Sequence, residues 1–278
     1  MKPPTTPPEL LAEIREIDWT VMSQDHWGAT FEQATFALYD AVLRPGDTAV
    51  DVGANLGHHT YAMSRICGVA GRVFSFEPVP DLLLKAQTHS AHFKDIQWIN
   101  KAVSSEQGVA DFHYFPVEHG WSGFQPKEDV LGMETFMVPV TTLDDEINGP
   151  VHLIKLDIEG AEFDALRGAS RILREHGPVI IFESARSEAG RQFNYTADEF
   201  FEFFEGLGYQ IYFISGMPLA PELWRDPTHP WQLVGLHRHS ARLPRAMAAM
   251  STLIDKAAHS FSFGRGGAIP DFRGSGLP

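Results

Sequence analysis

Cysteine is nearly absent from the sequence, since Cys67 is the only one among 278 residues. A single cysteine excludes an internal disulfide and any zinc site built from several cysteines, and Cys67 is expected to be a small buried residue. Long apolar runs are missing too. No segment approaches the ~20 apolar residues of a membrane helix, and the opening residues MKPPTTPPELL contain no apolar signal core. We therefore expect a cytoplasmic protein with no membrane partner.

Positive charge is also scarce, with 22 lysines and arginines against 36 acidic residues and a formal net charge of −14. Nucleic acids and anionic membranes carry the same sign, so a general attraction to either is disfavoured. The composition favours a small-molecule substrate over a nucleic acid, and a homodimer is possible.

Short apolar runs alternate with helical patterns along most of the chain, which predicts crossover units, a mainly parallel sheet and helices on both faces. Only a loop separates the last two predicted strands, which favours an antiparallel hairpin at a sheet edge. The predicted strands are 48–53, 72–77, 96–100, 151–157, 178–184, 209–214 and 231–237, and the predicted helices between them include 80–93, 162–176 and 197–208.

The two ends of the chain and one internal segment do not show this alternation of strand and helix patterns. Residues 1–44 are predicted to be a lead-in with helical patterns over 9–17 and 29–42. The main domain would span 45–240, with a β-rich insertion at 101–142 that covers the substrate. Residues 241–278 are expected to be a tail, with a short helix within 241–257 and a disordered end rich in glycine.

A glycine-containing turn, AVDVGANLGHHT, joins the first predicted strand to the next helix. Gly53 and Gly57 would let the backbone approach a ligand, and the helix start offers free amide groups. The turn lacks the G-x-G-x-x-G spacing of a dinucleotide site and the lysine of a P-loop, which disfavours a nicotinamide oxidoreductase. A purely structural turn remains the alternative.

Glu77, an acid at the end of the following predicted strand, favours a ligand-binding turn over a purely structural one. Adjacent parallel strands would place Asp51 and Glu77 beside one crevice at the carboxyl edge of the sheet, where such folds bind ligands. A carboxylate can accept hydrogen bonds from both hydroxyls of a ribose. Together with the glycine turn, Glu77 favours a nucleoside ligand over a solvated acid before a proline turn.

Four motifs, DVGANLG, FEP, INKAVSSEQG and IKLDIEGAE, follow one another in an order that resembles the FkbM methyltransferases, which use S-adenosylmethionine. The resemblance covers about residues 45–237 and includes VTTLDD before the fourth motif. It implies a doubly wound, mainly parallel seven-stranded sheet of the class I methyltransferase type with a final antiparallel strand. The cofactor residues it implies are Asp51, Gly53, Ala54, Asn55 and Gly57 around the methionine part, Glu77 at the ribose, and Asn100, Ala102 and Val103 near the adenine.

The fourth motif continues as IKLDIEGAEFD, with four acids in eight residues. Asp157 and Glu183 end predicted strands and should point into the crevice, so both are catalytic candidates, as are His58 and His119. An aliphatic hydroxyl needs a base or a metal to become nucleophilic. Asp157 could instead bind the cofactor's ammonium group.

A helix start explains part of this acid cluster. Acids in a first helical turn are stabilised by ~0.3–1 kcal/mol through the helix dipole, which accounts for Glu162 and Asp164. Asp157, Glu159 and Glu183 could also form an all-oxygen Mg²⁺ site.

The acceptor itself is left open by the sequence. The loop HGWSGF and the HHT after Gly57 depart from the family pattern where substrate contacts are expected, and the candidates for those contacts are Trp121, Ser122, Phe124 and Glu159. We expect an O-methyltransferase acting on a hydroxyl of a sugar or a secondary metabolite. An N-methyltransferase of a small amine and a cofactor-binding module without turnover are the alternatives.

Overall fold

The computed structural model describes residues 24–90, 93, 95–126, 132–226 and 230–252, with side chains from residue 31 onward. The helical pattern predicted at 9–17 and the end of the predicted tail lie outside the described residues. None of the described helices is long and apolar enough to cross a membrane.

Ten strands in the described ranges build two sheets. They are β1 Thr48–Val52, β2 Arg72–Phe76, β3 Ile96–Ile99, β4 Ala102–Val103, β5 Gly108–Tyr114, β6 Glu134–Thr141, β7 Leu153–Leu156, β8 Val179–Glu183, β9 Tyr209–Phe213 and β10 Gln232–His237. The larger sheet has seven strands in the order β3-β2-β1-β7-β8-β10-β9. Its pairs are parallel except those of β10, which runs antiparallel to both β8 and β9. The predicted fold class is confirmed, and β9 and β10 form the predicted antiparallel pair, with β9 at the edge of the sheet.

Nine helices surround the large sheet within the described part of the chain. They are α1 Gln24–Val42, α2 His58–Cys67, α3 Pro80–His89, α4 Leu143–Glu146, α5 Glu162–Arg167, α6 Ser170–His176, α7 Ser187–Gln192, α8 Ala197–Gly206 and α9 over 243–252. Two apolar clusters fill the two faces of the sheet. One contains residues of α5, α6 and α8, and the other contains residues of α1, α2 and α9, including the fully buried Cys67.

The single helix predicted over 162–176 is wrong, because the chain breaks it between α5 and α6. A side chain at Gly168 would place its Cβ only 2.2 Å from the carbonyl oxygen of Ser104, so glycine is required where the two segments meet. The second segment then begins on a cap from α4. The Asp144 carboxylate accepts hydrogen bonds from the backbone N–H groups of Arg171 at 2.7 Å and Ile172 at 3.0 Å.

The described residues within 101–142 include three strands, β4, β5 and β6, which form the small sheet. β4 pairs in parallel with β6, and β5 pairs with β6 in antiparallel fashion. Phe112 and Val138 from this small sheet pack with Val79 and Leu82 at the start of α3. The small sheet therefore rests against the carboxyl edge of the large one.

The segment after residue 240 contributes to the core. The helix expected within 241–257 is present as α9, and Ala246 and Met250 on it are buried. Arg242, just before it, places its Nη2 atom 2.8 Å from both carboxylate oxygens of Asp47. Residues 242–250 are thus tied to the α/β domain and do not begin a loose tail.

Replacing the cap of α6 should lower stability. Asp144→Ala leaves two backbone N–H groups at the helix start without their acceptor, so the free energy of unfolding should fall by about 1–2 kcal/mol. Urea unfolding measures this change. Asp198→Ala, which removes an exposed acid from the first turn of α8, is the matched control and should stay within about 0.5 kcal/mol. Equal losses in the two variants would contradict the capping role.

Candidate active site

A cavity of about 230 Å³ lies where β1, β2 and β7 end, beneath the loop at 119–124. Parallel strands present their carboxyl ends at one edge of a sheet, which is where doubly wound folds bind ligands. The predicted site residues that line the cavity are Gly53, Ala54, Asn55, His58, Glu77, Ala102, Val103, His119, Ser122, Phe124 and Asp157.

The glycine turn passes directly against the end of β7. Gly53 has φ +81°, and a Cβ there would lie 2.1 Å from the backbone oxygen of Asp157. Gly57 has φ +86° and caps α2, but it does not line the cavity. The turn therefore brings the backbone of β1 next to the carboxyl end of β7, with no side chain between them.

Glu77 is a buried carboxylate at the cavity wall, only 5% exposed. Its two oxygens accept hydrogen bonds from the backbone N–H groups of Asn55 at 2.8 Å and Val79 at 2.9 Å. Burial raises the pKa of Glu77 to about 7, against the opposing effect of these hydrogen bonds. Asn100 donates to the backbone oxygen of Glu77 at 2.9 Å, so it positions this segment and does not face the cavity.

Asp51 was predicted to border the crevice, but its side chain is fully buried and does not line the cavity. It accepts a hydrogen bond from Thr60 Oγ1 at 2.5 Å, and its other oxygen lies 3.8 Å from the Nζ atom of Lys155. Burial raises the pKa of Asp51, opposed by the charge of Lys155. In this structure Asp51 contacts Thr60 and Lys155 and does not line the cavity.

Lys155 is a site residue that the sequence analysis missed. Its side chain is 7% exposed, and Nζ lies 3.4 Å from Asp157 Oδ2, so one ammonium stands between two acids. Burial alone would lower the pKa of Lys155, but the negative charges of Asp157 and Asp51 outweigh it and raise the pKa. A lysine within the apolar strand LIKL was the available signal, because lysine is almost never fully buried unless it is paired.

The acids after β7 and β8 have different surroundings. Asp157 lines the cavity with its side chain 40% exposed. Glu183 does not line it, and burial followed by the charge of Asp157 raises the pKa of Glu183 to about 8. Glu162 is buried and accepts hydrogen bonds from the N–H groups of Ile158 at 2.9 Å and Gly160 at 3.2 Å. Glu162 thus fixes the turn after Asp157, a stronger role than the predicted interaction with a helix dipole.

The possible magnesium site at Asp157, Glu159 and Glu183 is not formed. Among the residues that the structure describes, no group of three acidic, histidine or cysteine side chains could hold a metal ion. Only Asp157 of the three lines the cavity, and it already faces the ammonium of Lys155.

Histidine side chains form part of the cavity wall. His58 and His119 line the cavity as predicted, and Nδ1 of His119 is buried without a hydrogen-bond partner in the described part of the chain. His59 also lines the cavity and was missed. Burial, followed by the charge of Lys155, lowers the pKa of His59 to about 2, so its imidazole is neutral.

The loop over the cavity is anchored to the small sheet. Gly123 and His113 exchange two backbone hydrogen bonds of 2.9 and 3.1 Å, and Phe124 packs edge-on against Phe112. Trp121 does not form the predicted wall, because its side chain is 46% exposed and lies outside the cavity lining. The cavity face of the loop is formed by smaller groups, including Ser122.

The fold and this site together define a class: a doubly wound α/β protein with a glycine turn, a buried acid after β2 and a second acid after β7. A family model, the methyltransferase FkbM domain, matches residues 51–211. The chain therefore belongs to the FkbM methyltransferase family. This match confirms the predicted family.

Several solved structures resemble the chain. Methyltransferase FkbM from Methylobacillus flagellatus KT is 20% identical with a TM-score of 0.43, over 71% of this chain and 49% of that one. A SAM-dependent O-methyltransferase from Thermotoga maritima is 14% identical with a TM-score of 0.41, over 84% and 72% of the two chains. Fibrillarin from Aeropyrum pernix, with natively bound S-adenosyl-L-methionine, is 15% identical with a TM-score of 0.40, over 69% and 67%.

The chain thus spans about half the length of the first of these structures. A comparison with curated proteins found no match.

The cavity fits the adenosyl cofactor of this family. Asn55 Oδ1 and His119 Nδ1 are buried at its wall without hydrogen-bond partners among the described residues. Buried polar atoms without partners cost free energy, and a ligand with polar groups can pair with them. The carboxylate of Glu77 and the wall formed by Ala102 and Val103 suit a ribose and a base.

The close approach at Gly53 can be tested by adding one methyl group. Gly53→Ala should lower the free energy of unfolding by more than about 2 kcal/mol, because the new Cβ collides with a backbone oxygen and the positive φ is strained. Gly46→Ala is the matched control, since Gly46 has φ +91° but nothing within 4 Å of an added Cβ. Urea unfolding compares the two variants. Equal losses would mean that backbone strain alone, and not contact with β7, explains Gly53.

Proposed function

We propose that this protein transfers a methyl group from S-adenosylmethionine to a hydroxyl of a small molecule such as a sugar or a secondary metabolite. The observation that carries the proposal is the position of Asp157. Its carboxylate opens into the cavity beside the glycine turn, where it can accept the proton of an acceptor hydroxyl.

Different cavity residues would bind different parts of the cofactor. Glu77 would accept hydrogen bonds from the ribose hydroxyls, and Ala102 and Val103 would contact the adenine. The backbone at Gly53 and Ala54 would border the methionine part. When bound, the cofactor would supply a methyl group on a cationic sulfur for transfer to the acceptor oxygen, with the neutral thioether as the leaving group.

Asp157 would act on the acceptor. Its carboxylate orients the hydroxyl by accepting its hydrogen bond and takes the proton as the carbon–oxygen bond forms. Positioning of this kind accounts for most of the rate gain in an in-line displacement. Lys155 fixes the other side of the same carboxylate, and Glu162 holds the following turn. His58 and His119 also line the cavity and are the other candidate proton acceptors.

Methylation of a small amine is the second candidate. A neutral amine is already nucleophilic and needs no base, so the carboxylate at Asp157 favours the hydroxyl. The excess of acidic residues supports a small molecule over a nucleic acid as the acceptor. We also keep three predictions from the sequence: the protein is located in the cytoplasm, it has no membrane partner, and it can form a homodimer.

Cofactor binding should be visible as thermal stabilisation. S-adenosylhomocysteine should raise the melting temperature, because a ligand that binds only the folded state stabilises it by mass action. Glu77→Ala should remove most of this shift, since it loses two hydrogen bonds to a charged group worth roughly 1.5–3 kcal/mol each. Glu106→Ala, an exposed acid in the turn after β4, should keep the full shift. Stabilisation by NAD with none by S-adenosylhomocysteine would reject the proposal.

The role of Asp157 should be separable from that of Asp164. Asp157→Asn keeps the shape but removes the proton acceptor, so methyl transfer should fall by ~10²-fold or more while stabilisation by S-adenosylhomocysteine persists. Asp164→Asn, seven residues along in α5, should leave turnover intact and change stability by less than about 1 kcal/mol. Tritiated methyl transfer to a panel of sugars, phenols and amines gives the rates. Equal, mild losses would show that Asp157 is not catalytic, and unchanged transfer to an amine would favour N-methylation.

A further inference from the structure

One acidic residue enters the cavity from outside the matched family domain. Glu32 lies on α1, before the matched range 51–211, yet it lines the cavity together with His58, Lys155 and Asp157. Its side chain is 44% exposed, and Oε2 lies 3.5 Å from Nε2 of His59. The family domain alone therefore does not complete this end of the site.

A row of side chains holds Glu32 in place. Tyr39 is fully buried, and its hydroxyl lies 3.0 Å from Nδ1 of His59. Burial raises the pKa of Tyr39 well above its usual value, so the hydroxyl keeps its proton and can donate a hydrogen bond to Nδ1 of a neutral His59. A neutral imidazole that accepts at Nδ1 carries its hydrogen at Nε2, on the side that faces Glu32. Phe36 packs against the same ring, with centroids 5.3 Å apart.

The charges at this end of the cavity do not balance. The charged groups that interact with Glu32 are Lys155, Asp157, His58 and Asp51, and among them only Lys155 is a permanent cation. Three carboxylates therefore face one ammonium, apart from His58, whose ring is charged only when protonated. The sulfonium of a bound cofactor offsets one of the two excess negative charges, so one negative charge remains.

We propose that Glu32 determines acceptor specificity by binding the ammonium group of an amino alcohol while the acceptor's hydroxyl faces Asp157. This inference rests on the proposed function, because it places the acceptor at the same end of the cavity. An ammonium held by a carboxylate keeps its proton and has no lone pair, so the hydroxyl is the atom left to be methylated. His59 and Tyr39 act as positioning residues for Glu32.

Ethanolamine and ethylene glycol are matched probes of this site, since they differ mainly in the charge of one end. With the protein saturated by S-adenosylhomocysteine at constant ionic strength, ethanolamine should raise the melting temperature of the wild type. Ethylene glycol should have no effect. Glu32→Gln should lose the response to ethanolamine but keep that to S-adenosylhomocysteine, which also reports that it is folded. Asp40→Asn, an exposed acid on the same helix, should respond as the wild type does.

The outcomes separate this inference from the proposed function. If S-adenosylhomocysteine itself fails to stabilise the wild type, the proposed function fails. If it stabilises but ethanolamine has no effect, or acts equally on Glu32→Gln, or is matched by ethylene glycol, the role of Glu32 is rejected.

The positioning role has a spectroscopic signature that needs no acceptor. In ¹⁵N-resolved spectra of the histidine rings, His59 should be neutral with its hydrogen on Nε2, and Tyr39→Phe should move part of that population to Nδ1. Tyr61→Phe, which removes a hydrogen bond to the backbone of α3, should leave His59 unchanged. An unaltered His59 in Tyr39→Phe would overturn the positioning role.

Discussion

The buried ammonium of Lys155 is the interaction on which the rest of the site depends. Asp51 and Lys155 are opposite each other on the paired strands β1 and β7, and Asp157 follows two residues later, on the same side of its strand. The ammonium of Lys155 thus connects Asp51, below the cavity, with Asp157 on the cavity wall. Removing Lys155 would leave the fully buried carboxylate of Asp51 without its counter-ion, which is far more costly than losing a surface ion pair.

Backbone geometry places the walls of the cavity around this ammonium group. Gly53 lets β1 turn against the end of β7, and Glu77 pins the same turn through the N–H of Asn55. The small sheet then closes the cavity by tying Gly123 to His113. The acids, the glycine turn and the covering loop belong to segments that are far apart in the sequence. The parallel sheet brings them together, because its parallel strands end at the same edge.

The large sheet and many of the residues that line the cavity could be predicted, because they depend on local patterns and on strand ends. Gly53, Glu77 and Asp157 fall where short apolar runs stop. Lys155, Glu32 and His59 were missed because their roles arise from packing between distant segments, α1 against α2 and β7 against β1. The helix break at Gly168 was missed for the same reason, since the atom that demands glycine belongs to Ser104. Trp121 was misjudged because a loop's sequence does not tell which side faces solvent.

The central claim is that the cavity between Glu77 and Asp157 holds S-adenosylmethionine for methyl transfer. A crystal structure with S-adenosylhomocysteine would test it most directly. The account predicts ribose hydroxyls within hydrogen-bonding distance of Glu77, the base against Ala102 and Val103, and the sulfur directed toward the side of the cavity formed by Asp157. A ligand bound elsewhere, with the Glu77 carboxylate still bonded only to backbone N–H groups, would contradict it.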